Sequence, residues 1–122
     1  MDDFKTFRLM LPERFGLMEL LPNQNNFITL GLINGLRNEL AITEEDIKKL
    51  NIIEKDDKTM WDADKDKGKE IKLGPKLFEI IYKILDDVEK GSQLKSQHYT
   101  LFEKIVLPQR ELLEKESNLR KK

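Results

Sequence analysis

The chain has 122 residues, with 22 Lys+Arg against 23 Asp+Glu, a formal charge of −1, 39% hydrophobic and 37% charged residues, and no cysteine. That is one domain's worth of sequence with a modest core, and it excludes a disulfide frame, a thiolate nucleophile and a cysteine metal knuckle. The near-neutral balance argues against bulk electrostatic capture by DNA or anionic lipid, and no apolar run approaches the ~20 residues of a membrane span.

Phe7, Leu9 and Leu11 alternate with Arg8 and Met10, which predicts a short strand near 5–10. Pro12 suits the first turn of a helix, where its missing N–H would be unpaired anyway. One longer helix over 4–21 is the alternative, which Pro12 disfavours. Phe15, Leu17, Met18, Leu20 and Leu21 make the first helix strongly apolar, and Pro22 stops it before the polar turn Asn23–Asn26. Phe27, Leu30, Ile33, Leu36 and Leu40 then recur at helical spacing over 27–40. Gly31 and Gly35 share one side of that helix, and the reading is that another element approaches closely there.

Thr43 is a good N-cap, with Glu44, Glu45 and Asp46 in the first turn, where acidic groups meet the positive end of the helix dipole. Asp46 completes a short-armed capping box, and Ile47 and Leu50 are expected to face inward from a helix over 44–50. Short strands around a turn at Asp56–Asp57 are predicted over 52–62, with a third over 69–73 where Ile71 and Leu73 alternate with Glu70 and Lys72. Gly74–Pro75 opens the best helix, with the stripe Leu77, Ile81, Ile84, Leu85 and Val88, and Gly91 is its natural stop. Residues 95–106 form a further amphipathic helix through Tyr99, Phe102, Ile105 and Val106. Pro108 interrupts the pattern before a charged tail that can be helical through Leu112, Leu113 and Leu119.

The expected architecture is a mainly helical α+β domain over residues 1–107, followed by the tail 108–122. A small antiparallel sheet from residues near 5–10, 52–62 and 69–73 would pack against four or five helices. Trp61, between Met60 and a polar loop, is the large apolar anchor of that sheet, with about 3–5 kcal/mol expected for its truncation if buried.

Three stretches, residues 11–46, Trp61 with KEIKLG at 69–74, and HYTLFEKIV at 98–106, together resemble a group of small uncharacterised bacteriophage and prophage proteins. The resemblance spans residues 8–106. This chain departs from it in its Asp/Lys loop at 62–68 and its charged tail. It implies a small accessory protein of the host bacterial cytoplasm and carries no catalytic signature. Asp2 and Asp3, where a signal peptide needs positive charge, point the same way.

The candidate chemistry is thin. Asp62, Asp64 and Asp66 alternate as in a calcium loop, but the sixth residue from Asp62 is Lys67 rather than Gly and the twelfth is Leu73 rather than Glu. With Lys65, Lys67 and Lys69 offsetting the carboxylates, the expectation is a mobile, dispensable hairpin loop and no metal or cofactor. His98, the one histidine, reads as a helix-start residue that packs or caps. A strand, three helices and a hairpin follow the order of a winged helix-turn-helix, yet the second motif helix would present Glu44, Glu45 and Asp46 to phosphates. The functional expectation is therefore a non-enzymatic accessory or protein-interaction module, with a protein partner or self-association and no membrane. A DNA-binding regulator of winged-helix layout is the alternative, and a weak metal-binding or hydrolytic role comes third.

Overall fold

Pro12 sits in the first turn of the first helix, where its missing N–H would be unpaired anyway, and Met10 parts that helix from the first strand. In the computed structural model, which describes residues 4–120 and side chains as far as residue 117, β1 spans Lys5–Leu9 and α1 spans Leu11–Leu20. There follow α2 (Phe27–Leu40), α3 (Glu44–Leu50), β2 (Ile53–Lys55), β3 (Lys58–Met60), β4 (Lys69–Leu73) and α4 (Pro75–Lys90). The chain ends in α5 (Tyr99–Ile105) and α6 (Leu107–Arg120), and short 3-10 turns occupy Ala63–Lys65 and Ser96–His98. The mainly helical α+β class holds. The five helices read from the sequence are present, and the tail supplies a sixth, parted from α5 by Val106 alone.

The strands do not form the single sheet expected from 5–10, 52–62 and 69–73. β1 pairs antiparallel with β4, from Lys5 opposite Leu73 to Leu9 opposite Lys69, while β2 pairs with β3 in a separate hairpin. The hairpin closes through Asp56 and Asp57, both left-handed at φ 52° and 62°, the geometry of a two-residue turn. Its three-residue strands leave Ile53 55% and Met60 51% exposed, so they offer no buried face to lay on the first sheet.

Leu9, Ile71 and Leu73 project from the β1–β4 sheet into the core. They meet Leu17 and Leu21 of the α1 region, Ile33, Leu36 and Leu40 of α2, Ile81 and Leu85 of α4, and Leu101, Phe102, Ile105 and Val106. Each such side chain contributes about 1.5–3 kcal/mol by leaving water. Phe7 stacks on Phe78 at 6.1 Å, which fixes the sheet on α4. Arg110 pairs with Asp86 and Glu89 and lies over the Phe102 ring, so the first turns of α6 are tied to α4. Leu112 and Leu113 beyond it are 49% and 50% exposed and do not complete the core, and the side chain of Leu119 lies outside the described residues.

Two glycine expectations reverse. A Cβ at Gly31 or Gly35 would meet nothing within 4 Å, so no element approaches α2 there. The close approach is at Gly16, where a Cβ would stand 3.0 Å from the Gln97 carbonyl and 3.3 Å from the His98 ring. Ile47 is 45% exposed, leaving Leu50 as the buried residue of α3.

Trp61 follows β3 rather than lying within it, and is half-buried outside the main core. It meets Phe15 of α1 edge to face at 6.4 Å. Its indole nitrogen is buried without a partner, which offsets part of the gain from burying the ring. Trp61→Ala is therefore expected to destabilise by about 1–2 kcal/mol, less than full burial would give. Urea unfolding of the two proteins measures the difference, and a loss above about 3 kcal/mol would place the ring in the core after all.

Candidate functional site

Each residue singled out for chemistry has a definite place. Asp62 accepts from the Asn51 side chain at 2.7 Å, and its backbone N–H donates to the Leu50 carbonyl at 2.8 Å. The Asn51 contact, rather than burial, holds the Asp62 carboxyl below its ordinary value, helped by Lys65. Asp64 is exposed. Asp66 points away from both, with one oxygen accepting from Leu11 N–H at 2.7 Å and the other from Gly68 N–H at 3.0 Å. Among the described residues no three acidic or histidine side chains converge as metal ligands.

The loop is thus more than the dispensable connector expected from its composition. Asp66 supplies an acceptor to the first turn of α1, which has no side-chain cap of its own at Met10. Gly68, left-handed at φ 80°, lets the chain pass Arg8, whose side chain a Cβ would strike at 2.6 Å. Asp66→Ala is expected to lower stability by about 1–2 kcal/mol, as loss of an N-terminal cap does. Asp64→Ala should leave it within about 0.5 kcal/mol. Equal melting temperatures for the two variants would show that the Asp66 contact contributes nothing.

His98 packs rather than caps: it is 2% exposed, and neither ring nitrogen has a hydrogen-bond partner. The nearest carboxylate is Glu19, 3.9 Å from Nε2. Thr43 and Asp46 form the expected capping box, Thr43 Oγ1 accepting from Asp46 N–H at 3.1 Å and Asp46 accepting from Thr43 N–H at 3.0 Å. Asp46 also receives the Arg14 guanidinium at 2.9 Å. The acidic first turn of α3 is therefore committed to the fold. In a winged-helix docking it would face phosphates with the wrong sign, and Lys55 and Lys58 flank an Asp56–Asp57 tip on the hairpin.

Two of the concavities among the described residues bear on these side chains and on α2. A polar cleft of about 600 Å³ lies between α3 and the 64–69 loop, with Arg14, Asp46 and Asp66 on its walls. These three already satisfy one another or the backbone, and lysines and acids alternate around the rest. The second is a mainly apolar groove of about 410 Å³ between α2 and the start of α4. Gly31, Gly35 and Leu36 of α2 and Pro75 and Leu77 of α4 line it, together with Phe4 and the charged Glu39, Lys72 and Lys76.

On α2 itself, Phe27 is 92% and Ile28 75% exposed, and Leu32 is 36% exposed. With Gly31 and Gly35 they form one continuous stripe, because residues three, four and eight apart share a helix face. The core stripe of α2 is Ile33, Leu36 and Leu40, so Phe27 does not join it as its spacing suggested. No Asp, Glu, Lys or Arg occurs between Glu19 and Arg37, in a chain that is 37% charged. That charge-free run is the signal by which the exposed face could have been found from sequence. Exposed apolar patches of this kind mark interaction surfaces, whereas scattered single residues do not. The chain matches no protein-family model, no curated protein and no solved structure.

Proposed function

We propose that the protein is a non-enzymatic interaction module and that it engages its partner through the exposed face of α2 and the adjoining groove. The observation that carries this reading is Phe27, 92% exposed beside Ile28 in a stretch without charge from Leu20 to Leu36, next to a mainly apolar groove edged by Glu39, Lys72 and Lys76. Interface cores are depleted in charge and enriched in aromatic anchors, and both features coincide here. The buried ionic groups support it from the other direction. Arg14 is taken up by the Leu40 and Ala41 carbonyls and Asp46, and Glu13 by Lys104 and the Met10 N–H. A phage-type accessory role in the host bacterial cytoplasm rests on the resemblance over residues 8–106. Among the described residues, no helix is long and apolar enough to cross a membrane.

The test is affinity capture from infected or lysogenic cells with the wild-type chain and with Phe27→Glu/Ile28→Glu as paired baits. Both side chains are exposed, so the double variant keeps its fold, which circular dichroism verifies. A partner or second copy retained by the wild type and lost by the variant is expected. Identical capture by both baits would remove the α2 face from the function.

A further inference from the structure

Beyond Val106 the chain is fastened to the rest of the fold chiefly through one side chain. From Leu107 to Ser117 every side chain is exposed except Gln109 and Arg110, which are half-buried. Leu107, Leu112 and Leu113 are 36%, 49% and 50% exposed, so apolar burial does little to anchor α6. Among the described side chains of α6, hydrogen bonds to another element come from Arg110. Its guanidinium reaches Asp86 and, at 2.8 Å, Glu89 on α4, and lies 5.0 Å above the Phe102 ring. We infer that α6 is a hinged arm, latched on α4 by Arg110 and released to swing about the Val106–Pro108 junction when that latch opens.

The junction has the chemistry of a hinge. Val106 N–H donates to the Phe102 carbonyl and Arg110 N–H to the Val106 carbonyl, both at 2.9 Å, so helical bonding runs on either side of it. Pro108 between them has no N–H to return to the Lys104 carbonyl, and its ring crowds that carbonyl, a common cause of a bend in a helix. α6 therefore takes its nucleus from α5 without being a rigid extension of it. Glu111 and Lys115, four residues apart in the favourable order, support the helix when nothing packs on it.

The latch is weak enough to open and to close again. Arg110 and Glu89 are 32% and 39% exposed, so water and salt reach the pair, and such pairs hold by less than about tenfold. Asp86 is more buried, but it also pairs with Lys90 at 2.9 Å and so keeps a cation when Arg110 leaves. Two ion pairs and the contact with the ring together favour the closed arm by roughly ten- to a hundredfold. What opening uncovers is largely apolar. Phe102 loses the guanidinium above it, and the cleft of about 360 Å³ that Gln109 and Leu112 share with Phe7 and Phe78, together with Lys5 and Lys104, loses one wall. The arm is thus a lid over an aromatic surface of β1, α4 and α5, made of residues other than those of the α2 face.

The chain has no native cysteine, so Lys83→Cys on α4 and Ser117→Cys on α6, both exposed, take a pair of nitroxide labels without competition. Pulsed dipolar spectroscopy on the full chain then reads the separation of the two helices. At low salt a single narrow distribution is expected. Arg110→Gln should broaden it and raise the population at longer distance at least about tenfold. Salt at about 1 M, where the Debye length is about 3 Å, should move the wild type part of the way there. Circular dichroism should show the full helical signal in both proteins, because a swinging arm stays folded. A distribution that Arg110→Gln leaves unchanged would overturn the proposal, as would one already broad in the wild type at low salt. A fall in helical signal in Arg110→Gln matching the 14 residues of α6 would overturn it equally, since the segment would then melt rather than turn about a hinge.

Discussion

Arg14→Leu is expected to destabilise the protein by about 3–5 kcal/mol, the usual result of removing one member of a buried ion pair. The Arg14 side chain is 3% exposed. Its Nε donates to the Leu40 carbonyl at 3.2 Å, and a terminal nitrogen donates to the Ala41 carbonyl at 2.8 Å and to Asp46 at 2.9 Å. It thereby joins α1 to the carbonyl end of α2 and the amide end of α3, and the leucine would leave all three acceptors short of a donor. Burial raises the Asp46 carboxyl, but hydrogen bonds from Arg14 and Thr43 and the nearby positive charge outweigh it and bring the value to about 2. A carboxyl lowered on folding contributes stability that is full above its unfolded value, 3.8, and is lost as pH falls through about 2. That contribution is on the order of 2 kcal/mol. Urea unfolding of wild type and Arg14→Leu from pH 7 down to pH 2 should show the gap narrow across the acid limb. A gap that stays constant, or one below about 1 kcal/mol at pH 7, would show that the network does not hold these helices.

Lys104→Met should reverse the sign of one pH dependence. Burial pushes Glu13 up, while hydrogen bonds from Lys104, Met10 N–H and Thr100, with the attraction of Lys104, bring it net below 4.5. In the wild type, Glu13 therefore contributes stability that is full above its unfolded value, 4.5, and is lost as pH falls through its lower folded value. Without Lys104, Glu13 keeps the Met10 N–H and the Thr100 contact but loses both the hydrogen bond and the charge of the ammonium, while its second oxygen is buried without a partner. Desolvation then dominates, the folded value rises above the unfolded one, and stability falls as pH climbs from 4.5 through that raised value. Because Lys104 itself is 39% exposed, water moderates the loss to about 2–3 kcal/mol at pH 7. Melting temperatures between pH 4 and pH 8 distinguish the cases: the wild type gains or holds over the range and the variant loses. A variant curve parallel to the wild type would contradict the assignment.

Local features of the fold were legible in the sequence because their partners are neighbours. The Thr43–Asp46 capping box needs three residues of chain, the Asp56–Asp57 turn needs two, and Ile81 and Leu85 declare themselves through one helical stripe. Glu13 and Arg14 were not legible. In a helix start they read as surface charges, and their partners stand 91 and 32 residues away. The sheet misled for the same reason, since periodicity identifies β2, β3 and β4 but says nothing about which strands pair. The α2 face failed differently. Helical spacing marks Phe27 and Leu36 alike as apolar, and only the fold shows that one is buried at 2% and the other stands 92% in solvent. The Asp62, Asp64 and Asp66 alternation suggested a shared ligand set, but their side chains diverge to Asn51, to solvent and to the start of α1.

The Lys104 ammonium also bonds the Arg8 carbonyl at 2.8 Å, within the strand that pairs with residues 69–73. Elements of the described fold are thus completed by others 91 to 96 residues farther along the chain. Until α5 has emerged, Glu13 lacks its cation, and Leu9 and Leu17 lack Leu101, Phe102, Ile105 and Val106. The described core is therefore expected to close only once α5 is available. A nascent or truncated product ending before residue 99 is a substrate for proteases and chaperones rather than a smaller working version.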